Sequence, residues 1–480
     1  MKSRPISSAS TDPEARLDPI PGNPPGPRGL PFIGCLLPFL RNPMAFLAKV
    51  AHDYGGIARV PIRGNVFYLV SDPELLREIF ITHRQIYRKN IRYHHAQALV
   101  GQGLLLSEGD EWRYLRQITQ PAFNPGYINA QVGWMREVTE KYLDRWETAV
   151  DSGAVVDVEP EFARLAQLLA GYYSLGPGFA DIATRFCDTA AALKKLWPVA
   201  PRSVLDLLKP RPKSQLKRFH ETLAELDDCL YGFIAERRKS GFEDCGVLSQ
   251  LVNAGRRDGQ PFSERELRDQ LFTLFFAGHE TSATALCWIH YFLARHADVR
   301  QRFQREIDAV LGGRMPAAED LDRLEYTEQV VQEALRVYSP IHAISRVALA
   351  DNTVGGYRVP AGTTIYISLY ATHRLPKYWP DPERFDPERF TREQCEARSR
   401  FAYIPFAAGH RNCIGGTQAI VELKMILAQI AQRYVLDLVP GQKIEPAPGT
   451  TMYPRYGMKM TLRRAAARHS DLEERVVTPA

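Results

Sequence analysis

The sequence predicts a mainly α chain with a small β region, an α+β architecture of unequal parts. Three observations carry this. Helical periodicity dominates from about residue 110 to about residue 340. Strand signals gather near the two ends of the chain. One apolar helical pattern is long enough to cross a whole domain.

In chain order, residues 1–17 read as a disordered tail. Asp18 to Gly34, DPIPGNPPGPRGLPFIG, is dense in proline and glycine and reads as a stiff, extended surface segment. Ile57–Ile62 and Asn65–Val70 flank Arg63-Gly64 and read as a hairpin. A second β group, Thr353–Val359 and Thr363–Leu369, flanks Pro360-Ala361-Gly362. The expected organisation is a tail with the start of the proline-rich segment over 1–24, one domain over 25–465, and a flexible tail over 466–480.

The central helix starts at Ser263-Glu264-Arg265-Glu266, a capping box. Apolar or small residues then recur at Leu267, Leu271, Leu274, Gly278, Ser282, Ala285, Ile289 and Leu293. The pattern runs to about Ala297, and at about 1.5 Å per residue it spans roughly 50 Å. Its middle reads Gly278-His279-Glu280-Thr281-Ser282. Polar residues inside a buried helix are costly unless they face a cavity or a ligand. The alternative is a partly exposed helix with an ordinary polar patch.

Composition narrows the function. With 480 residues, 45% hydrophobic and 24% charged, the chain falls outside the collagenous and wholly disordered classes. The charge of +6 is spread along the chain with no Lys/Arg block, so no nucleic-acid partner is expected. The seven cysteines form no CxxC pair, which argues against a disulfide framework or structural zinc and favours a reducing compartment. Residues 1–19 contain no apolar leader core, and no run approaches a membrane span. A cytoplasmic protein is expected.

The segment Phe406-Ala407-Ala408-Gly409-His410-Arg411-Asn412-Cys413-Ile414-Gly415-Gly416 carries the chemistry. Helical periodicity begins directly after it, so Cys413 lies on a glycine-rich loop at a helix N-terminus, where free amides favour a thiolate. A lone thiolate does not fit zinc. It fits the axial ligand of a haem iron. A purely structural cysteine is the plain alternative.

Phe406-x-x-Gly409-x-Arg411-x-Cys413-x-Gly415 resembles the haem-binding signature of the cytochrome P-450 family. Trp112-x-x-x-Arg116, Ala277-Gly278-His279-Glu280-Thr281-Ser282, Glu333-x-x-Arg336 and Pro387-Glu388-Arg389-Phe390 resemble further family segments and stand in the family's order. The resemblance covers about residues 25–465 and points to a soluble bacterial-type member, so that span becomes a haem-thiolate monooxygenase domain with the cytochrome P-450 fold. It departs from the pattern at Ala407, where a glycine is common, and at the extra Gly416. Trp112 and Arg411 match the form seen in microsomal and fatty-acid-hydroxylating branches.

The resemblance implies one haem b with Cys413 as iron ligand and O2 as co-substrate. Trp112, Arg116, Arg346 and Arg411 would meet the haem carboxylates, with Ala277, Gly278, Phe406 and Gly415 against the ring. Glu280 and Thr281 would form the acid–alcohol pair that delivers protons. Glu333 and Arg336, with Arg389 preferred to Arg384 as third partner, would hold the loop leading to Cys413. The implied reaction inserts one oxygen atom from O2 into a lipophilic small molecule by hydroxylation or epoxidation. Electrons would come from NAD(P)H through a separate ferredoxin or flavodoxin and its reductase, since the length leaves no room for a flavin domain. A monomer is expected. Two other readings are a peroxide-driven haem-thiolate peroxygenase and a haem-binding sensor or carrier without turnover. Glu280-Thr281 argues against both.

Overall fold

The computed structural model describes residues 22–89, 97–196, 213–243 and 246–465. Among these are ten helices of eleven residues or more: α1 Pro43–Tyr54, α2 Gly109–Thr119, α3 Pro125–Leu143, α4 Val158–Leu175, α5 Ala183–Leu196, α6 Lys213–Ser240, α7 Glu264–Arg295, α8 Ala297–Leu311, α9 Glu325–Val337 and α10 Gly416–Arg433. The strands are short: β1 Ile57–Ile62, β2 Asn65–Val70, β3 Tyr87–Lys89, β4 Val155–Asp157, β5 Ala343–Ala348, β6 Asn352–Val354, β7 Tyr357–Val359, β8 Thr364–Ser368, β9 Tyr434–Leu438, β10 Pro446–Pro448, β11 Met452–Pro454 and β12 Lys459–Arg464.

Helix α7 is the axle of the helical part. The Ser263 hydroxyl accepts from the Glu266 N–H at 3.3 Å, and the Glu266 carboxylate accepts from the Ser263 N–H at 2.9 Å. This reciprocal cap satisfies two donors that the helix leaves open. The helix then packs against α4, α6, α8, α9 and α10. Leu267, Leu271, Leu286, Trp288 and Ile289 are buried in one continuous core with Phe162, Leu165 and Leu427.

The first β group forms as the sequence indicates. β1 and β2 pair antiparallel from Ile57↔Val70 to Ile62↔Asn65. Arg63 and Gly64 turn the chain with φ of 49° and 75°, the left-handed pair that a two-residue hairpin requires.

The second group is rearranged. Thr353–Val359 is not one strand. It folds back at Gly355-Gly356 into the β6–β7 hairpin. β8 does not pair with it; it lies parallel to β2 and antiparallel to β5. The sheet order is β1-β2-β8-β5-β3. A period-two pattern fixes which side chains share a face but not which strand lies alongside. Ile365 and Ile367 on β8 are fully buried, and a central place in the sheet buries them.

The proline-rich segment also differs from expectation. The Pro25 carbonyl accepts from the Arg59 N–H at 2.8 Å, and Pro24 and Gly26 are buried. The segment is packed on the edge of β1, where residues without an N–H can still offer carbonyl acceptors. Residues 1–21 and 466–480, including both expected tails, lie outside the described residues. Among the described residues no helix is long and apolar enough to cross a membrane. The six described cysteines are unpaired.

Candidate active site

Cys413 stands three residues before α10, on a loop closed by a hydrogen bond from its own N–H to the Phe406 carbonyl at 2.9 Å. Ala407 and Gly409 both take left-handed backbone, with φ of 56° and 72°. At Gly409 a Cβ would lie 2.5 Å from the Phe80 carbonyl oxygen, so glycine is required there by contact as well as by φ. Ala407, standing where glycine is common, accepts the left-handed conformation at a cost.

The Cys413 side chain is exposed although protein surrounds it, the mark of a residue that lines a concavity. Burial pushes its thiol up; the Gly415 N–H and the Arg116 guanidinium pull the other way and do not prevail. The helix N-terminus therefore does not by itself yield a thiolate. A thiol in such surroundings becomes a thiolate when it binds a metal.

Cations crowd the rim of this concavity. The Arg411 side chain lies over the Trp112 ring at 4.3 Å, and its Nη2 donates to the Ser107 carbonyl and the Glu108 carboxylate, each at 2.7 Å. Its other terminal nitrogen, Nη1, is buried without a hydrogen-bond partner. Arg346, on β5, is buried, donates to the Ser345 carbonyl at 2.9 Å and lies near the Phe80 ring. Lys89, on β3 and paired in register with Arg346, donates to the Leu105 carbonyl. Burial holds the Lys89 ammonium well below its ordinary range, and the charges of Arg411 and Arg346 lower it further. The His410 imidazole is held down by burial and by Arg411, Arg84 and Arg346. Arg116 is turned to the ligand loop: it donates to the Asn412 carbonyl at 2.9 Å, to the Asn412 side chain at 3.2 Å and to Gln120 at 2.9 Å.

The middle of α7 offers a matching accessible shelf. Ala277 and Gly278 are exposed, while Phe275 and Ser282 are buried on the same helix. A Cβ at Gly278 would meet only the Ala170 methyl, at 3.6 Å. α7 is unbroken through the shelf, and the Thr281 hydroxyl donates to the Ala277 carbonyl at 2.7 Å. Glu280 points to Lys194 of α5, 3.8 Å away, which also holds Glu159 at 3.1 Å. Burial pushes the Glu280 carboxyl up and Lys194 pulls it back in part. His279 is buried against Phe275 and Phe276, its Nδ1 2.8 Å from the Phe275 carbonyl. Burial takes it down to about 4, so it is neutral at physiological pH.

The comparisons with known proteins agree with this arrangement. The family model described as cytochrome P450 matches residues 24–462. The chain belongs to the cytochrome P450 family. It is 34% identical over 434 residues to cyclooctat-9-en-7-ol 5-monooxygenase of Streptomyces melanosporofaciens, covering 89% of this chain and 90% of the relative. It is 29% identical over 443 residues to pentalenene oxygenase of Streptomyces avermitilis, covering 91% and 96%. The cytochrome P450DA haem domain superposes with a TM-score of 0.81 at 25% identity, over 92% of this chain and 97% of that one. Retinoic acid bound cyanobacterial CYP120A1 gives 0.79 at 28%, over 92% and 99%. The fold is that of P450 haem domains, and the chain is a haem-dependent monooxygenase that uses O2.

The residues present fit a haem. The group presents two carboxylates, and the P450 chain brings the buried Arg411, Arg346 and Lys89 together, with Arg411 Nη1 buried and without a hydrogen bond among the described residues. Lys89 belongs to this set and was not singled out from the sequence. Its signal was a lysine ending a short strand, which is ordinary until β3 pairs with β5. Glu422 was missed as well. It is fully buried on α10, accepts from the Ser282 hydroxyl of α7, and is pushed up by burial to about 7.

A second arginine cluster supports the loop from behind. Arg336 grips Glu333 through two hydrogen bonds of 2.6 and 2.8 Å, both residues fully buried, and donates to the His373 carbonyl at 2.9 Å. Glu333 also accepts from the Asp386 N–H at 2.9 Å. Arg389 supplies the third charge, 3.5 Å from Glu333, while Arg384 contributes only its carbonyl.

Proposed function

We propose that Cys413 holds the haem iron as its sole protein ligand and that the enzyme oxidises a lipophilic substrate, a cyclic terpenoid being the class that the named relatives favour. The observation that carries this is the accessible Cys413 thiol on its glycine-rich loop, ringed by buried cations. When bound, the haem supplies the iron chemistry that reduces O2 and transfers one of its atoms. Arg411, Arg346 and Lys89 would hold its carboxylates, with Arg411 lying over the Trp112 ring. Arg116 steadies Asn412 beside the ligand. Phe406 and Gly415, on the Cys413 loop, and the exposed Ala277 and Gly278 of α7 would lie against the haem ring.

Proton delivery falls to Glu280 and Thr281. The Thr281 hydroxyl gives its own proton to the Ala277 carbonyl, so its oxygen is left to accept from a donor on the shelf. Glu280 is raised by burial yet held by Lys194, which keeps a carboxyl able both to carry and to release a proton. Lys194 and the part-exposed Glu159 connect it towards solvent. Electrons reach the enzyme from NAD(P)H through a separate ferredoxin or flavodoxin and its reductase. A cytoplasmic monomer completes the reading, supported by the unpaired cysteines.

The test is spectroscopic, then catalytic. The reduced protein with carbon monoxide should give a thiolate-type Soret band, and Cys413→Ser should abolish it; survival of the band refutes the ligand assignment. Thr281→Ala should keep haem content and substrate-induced spectral shift while NADPH consumption diverts to hydrogen peroxide. Unchanged product per NADPH would remove Thr281 from the proton route.

A further inference from the structure

We infer that Asp269 and Gln270 of α7 are positioning residues for the haem-edge cations, acting through the segment 100–108. The inference rests on the reading of Arg411 and Lys89 as holders of the haem carboxylates.

One end of the segment is fastened to α7. The Asp269 carboxylate accepts from the Gln102 N–H at 2.8 Å, the Gln270 side chain accepts from the Leu104 N–H at 3.0 Å, and the Thr273 hydroxyl donates to the Val100 carbonyl at 3.3 Å. The fit leaves no slack. A Cβ at Gly101, where φ is +56°, would lie 1.9 Å from the Asp269 carboxyl carbon. A Cβ at Gly103 would lie 2.1 Å from the Thr273 hydroxyl. Asp269 is itself held: Arg268 donates to it at 3.0 Å and to Asp227 of α6 at 2.8 Å.

The other end of the same segment holds the cations. The Leu105 carbonyl accepts from Lys89, and the Ser107 carbonyl and Glu108 carboxylate accept from Arg411 Nη2. One to six residues therefore separate the amides that Asp269 and Gln270 hold from the acceptors that aim two cations. A loop of that length, tied at both ends through its backbone, transmits a shift rather than absorbing it. None of Arg268, Asp269 and Gln270 belongs to a motif of the haem loop, and none of their bonds reaches Lys89 or Arg411 directly. Their effect on those cations passes through the backbone of the segment and the Glu108 side chain.

The experiment uses the haem-loaded enzyme and the variants Gly101→Ala, Gln270→Leu and Arg411→Gln. Three quantities are read: the rate of haem transfer to a haem-scavenging apoprotein, the iron midpoint potential, and the melting temperature of the haem-free chain. Gly101→Ala and Gln270→Leu are each expected to speed haem transfer about fivefold, the scale of one misplaced charge-assisted hydrogen bond, and to shift the potential. In the Arg411→Gln background the Gly101→Ala increment should shrink, since one of the two cations that the segment aims is gone. If Arg411→Gln accelerates transfer while Gly101→Ala and Gln270→Leu do not, the inference falls alone. An increment that persists in full in the Arg411→Gln background, together with a lowered melting temperature, makes the segment a stability element only and overturns the inference. If Arg411→Gln leaves transfer unchanged, the reading of the cations fails first.

Discussion

Two arginine clusters lie on either side of the Cys413 loop, and they are built oppositely. In the Glu333 cluster both carboxylate oxygens and every nitrogen of Arg336 are engaged, while Arg389 Nε, 3.5 Å from Glu333, is buried without a hydrogen bond. In the cluster of Arg411, Arg346 and Lys89 the Arg411 side chain meets the Glu108 carboxylate, and Arg411 Nη1 is buried without a hydrogen bond among the described residues. The two differ in where the carboxylate lies: Glu333 is fully buried among its arginines, whereas Glu108 is part-exposed beside Arg411. The difference separates a brace from a binding site without appeal to motif.

The largest effect should come from opening the brace. Removing one partner of a buried ion pair costs about 3–5 kcal/mol, because the other charge is left unpaired. Glu333→Ala is therefore expected to yield mainly aggregated or haem-free protein. Normal yield of folded holoprotein would place Glu333 outside any bracing role.

Glu422 sharpens the contrast, as a buried acid with a hydroxyl partner and no cation. Its ionisation is raised from 4.5 to about 7 in the folded chain. A group raised on folding contributes nothing to the pH dependence below about 4.5, and the folded state loses stability as pH rises from there through about 7. At about 1.4 kcal/mol per unit the loss approaches roughly 3 kcal/mol by pH 8. Denaturant unfolding of Glu422→Gln should lack that decline and show a more stable chain at pH 8. Parallel pH curves for the two proteins would contradict the assignment.

The open cluster should behave the other way round. Arg411→Gln removes a donor from the haem carboxylates but relieves like charge around Lys89 and Arg346. Haem affinity should fall by about tenfold to a hundredfold, the worth of one charge-assisted bond. The unfolding free energy of the haem-free chain should move by less than about 1 kcal/mol, as for an ion pair to the part-exposed Glu108. A large stability loss with unaltered haem affinity would make this cluster a second brace.

The smallest effect lies between the clusters. Ala407 holds φ 56° in the loop itself. Ala407→Gly releases a left-handed strain of about 1 kcal/mol, against the backbone entropy of glycine. The expected result is a melting temperature equal to or slightly above wild type, with an unchanged carbonyl spectrum. A clear destabilisation would show that the alanine methyl packs more than it strains.

What the sequence determined by itself is what is decided within a few residues. The capping box at Ser263 and Glu266 acts across one helical turn, and α7 begins where it says. The turn at Arg63-Gly64 sets its own register, and β1 and β2 follow. The left-handed glycine at Gly409 and the cysteine four residues later are one local device, so the turn of this loop was legible, while the burial that raises the Cys413 thiol was not. Tertiary structure alone decided the partners. Period-two patterning could not place β8 between β2 and β5, nor reveal that Thr353–Val359 folds on itself. Nothing near Lys89 marks it as a neighbour of Arg346 until the register of β3 on β5 is known. Lys194 meets Glu280, and Glu422 meets Ser282, only because α5 and α10 pack against α7. Charge and burial are sums over neighbours in space, and a buried group takes its ionisation from residues far away in sequence. Glu280 and Thr281 stand out in the chain; the burial and the Lys194 contact that set the ionisation of Glu280 do not.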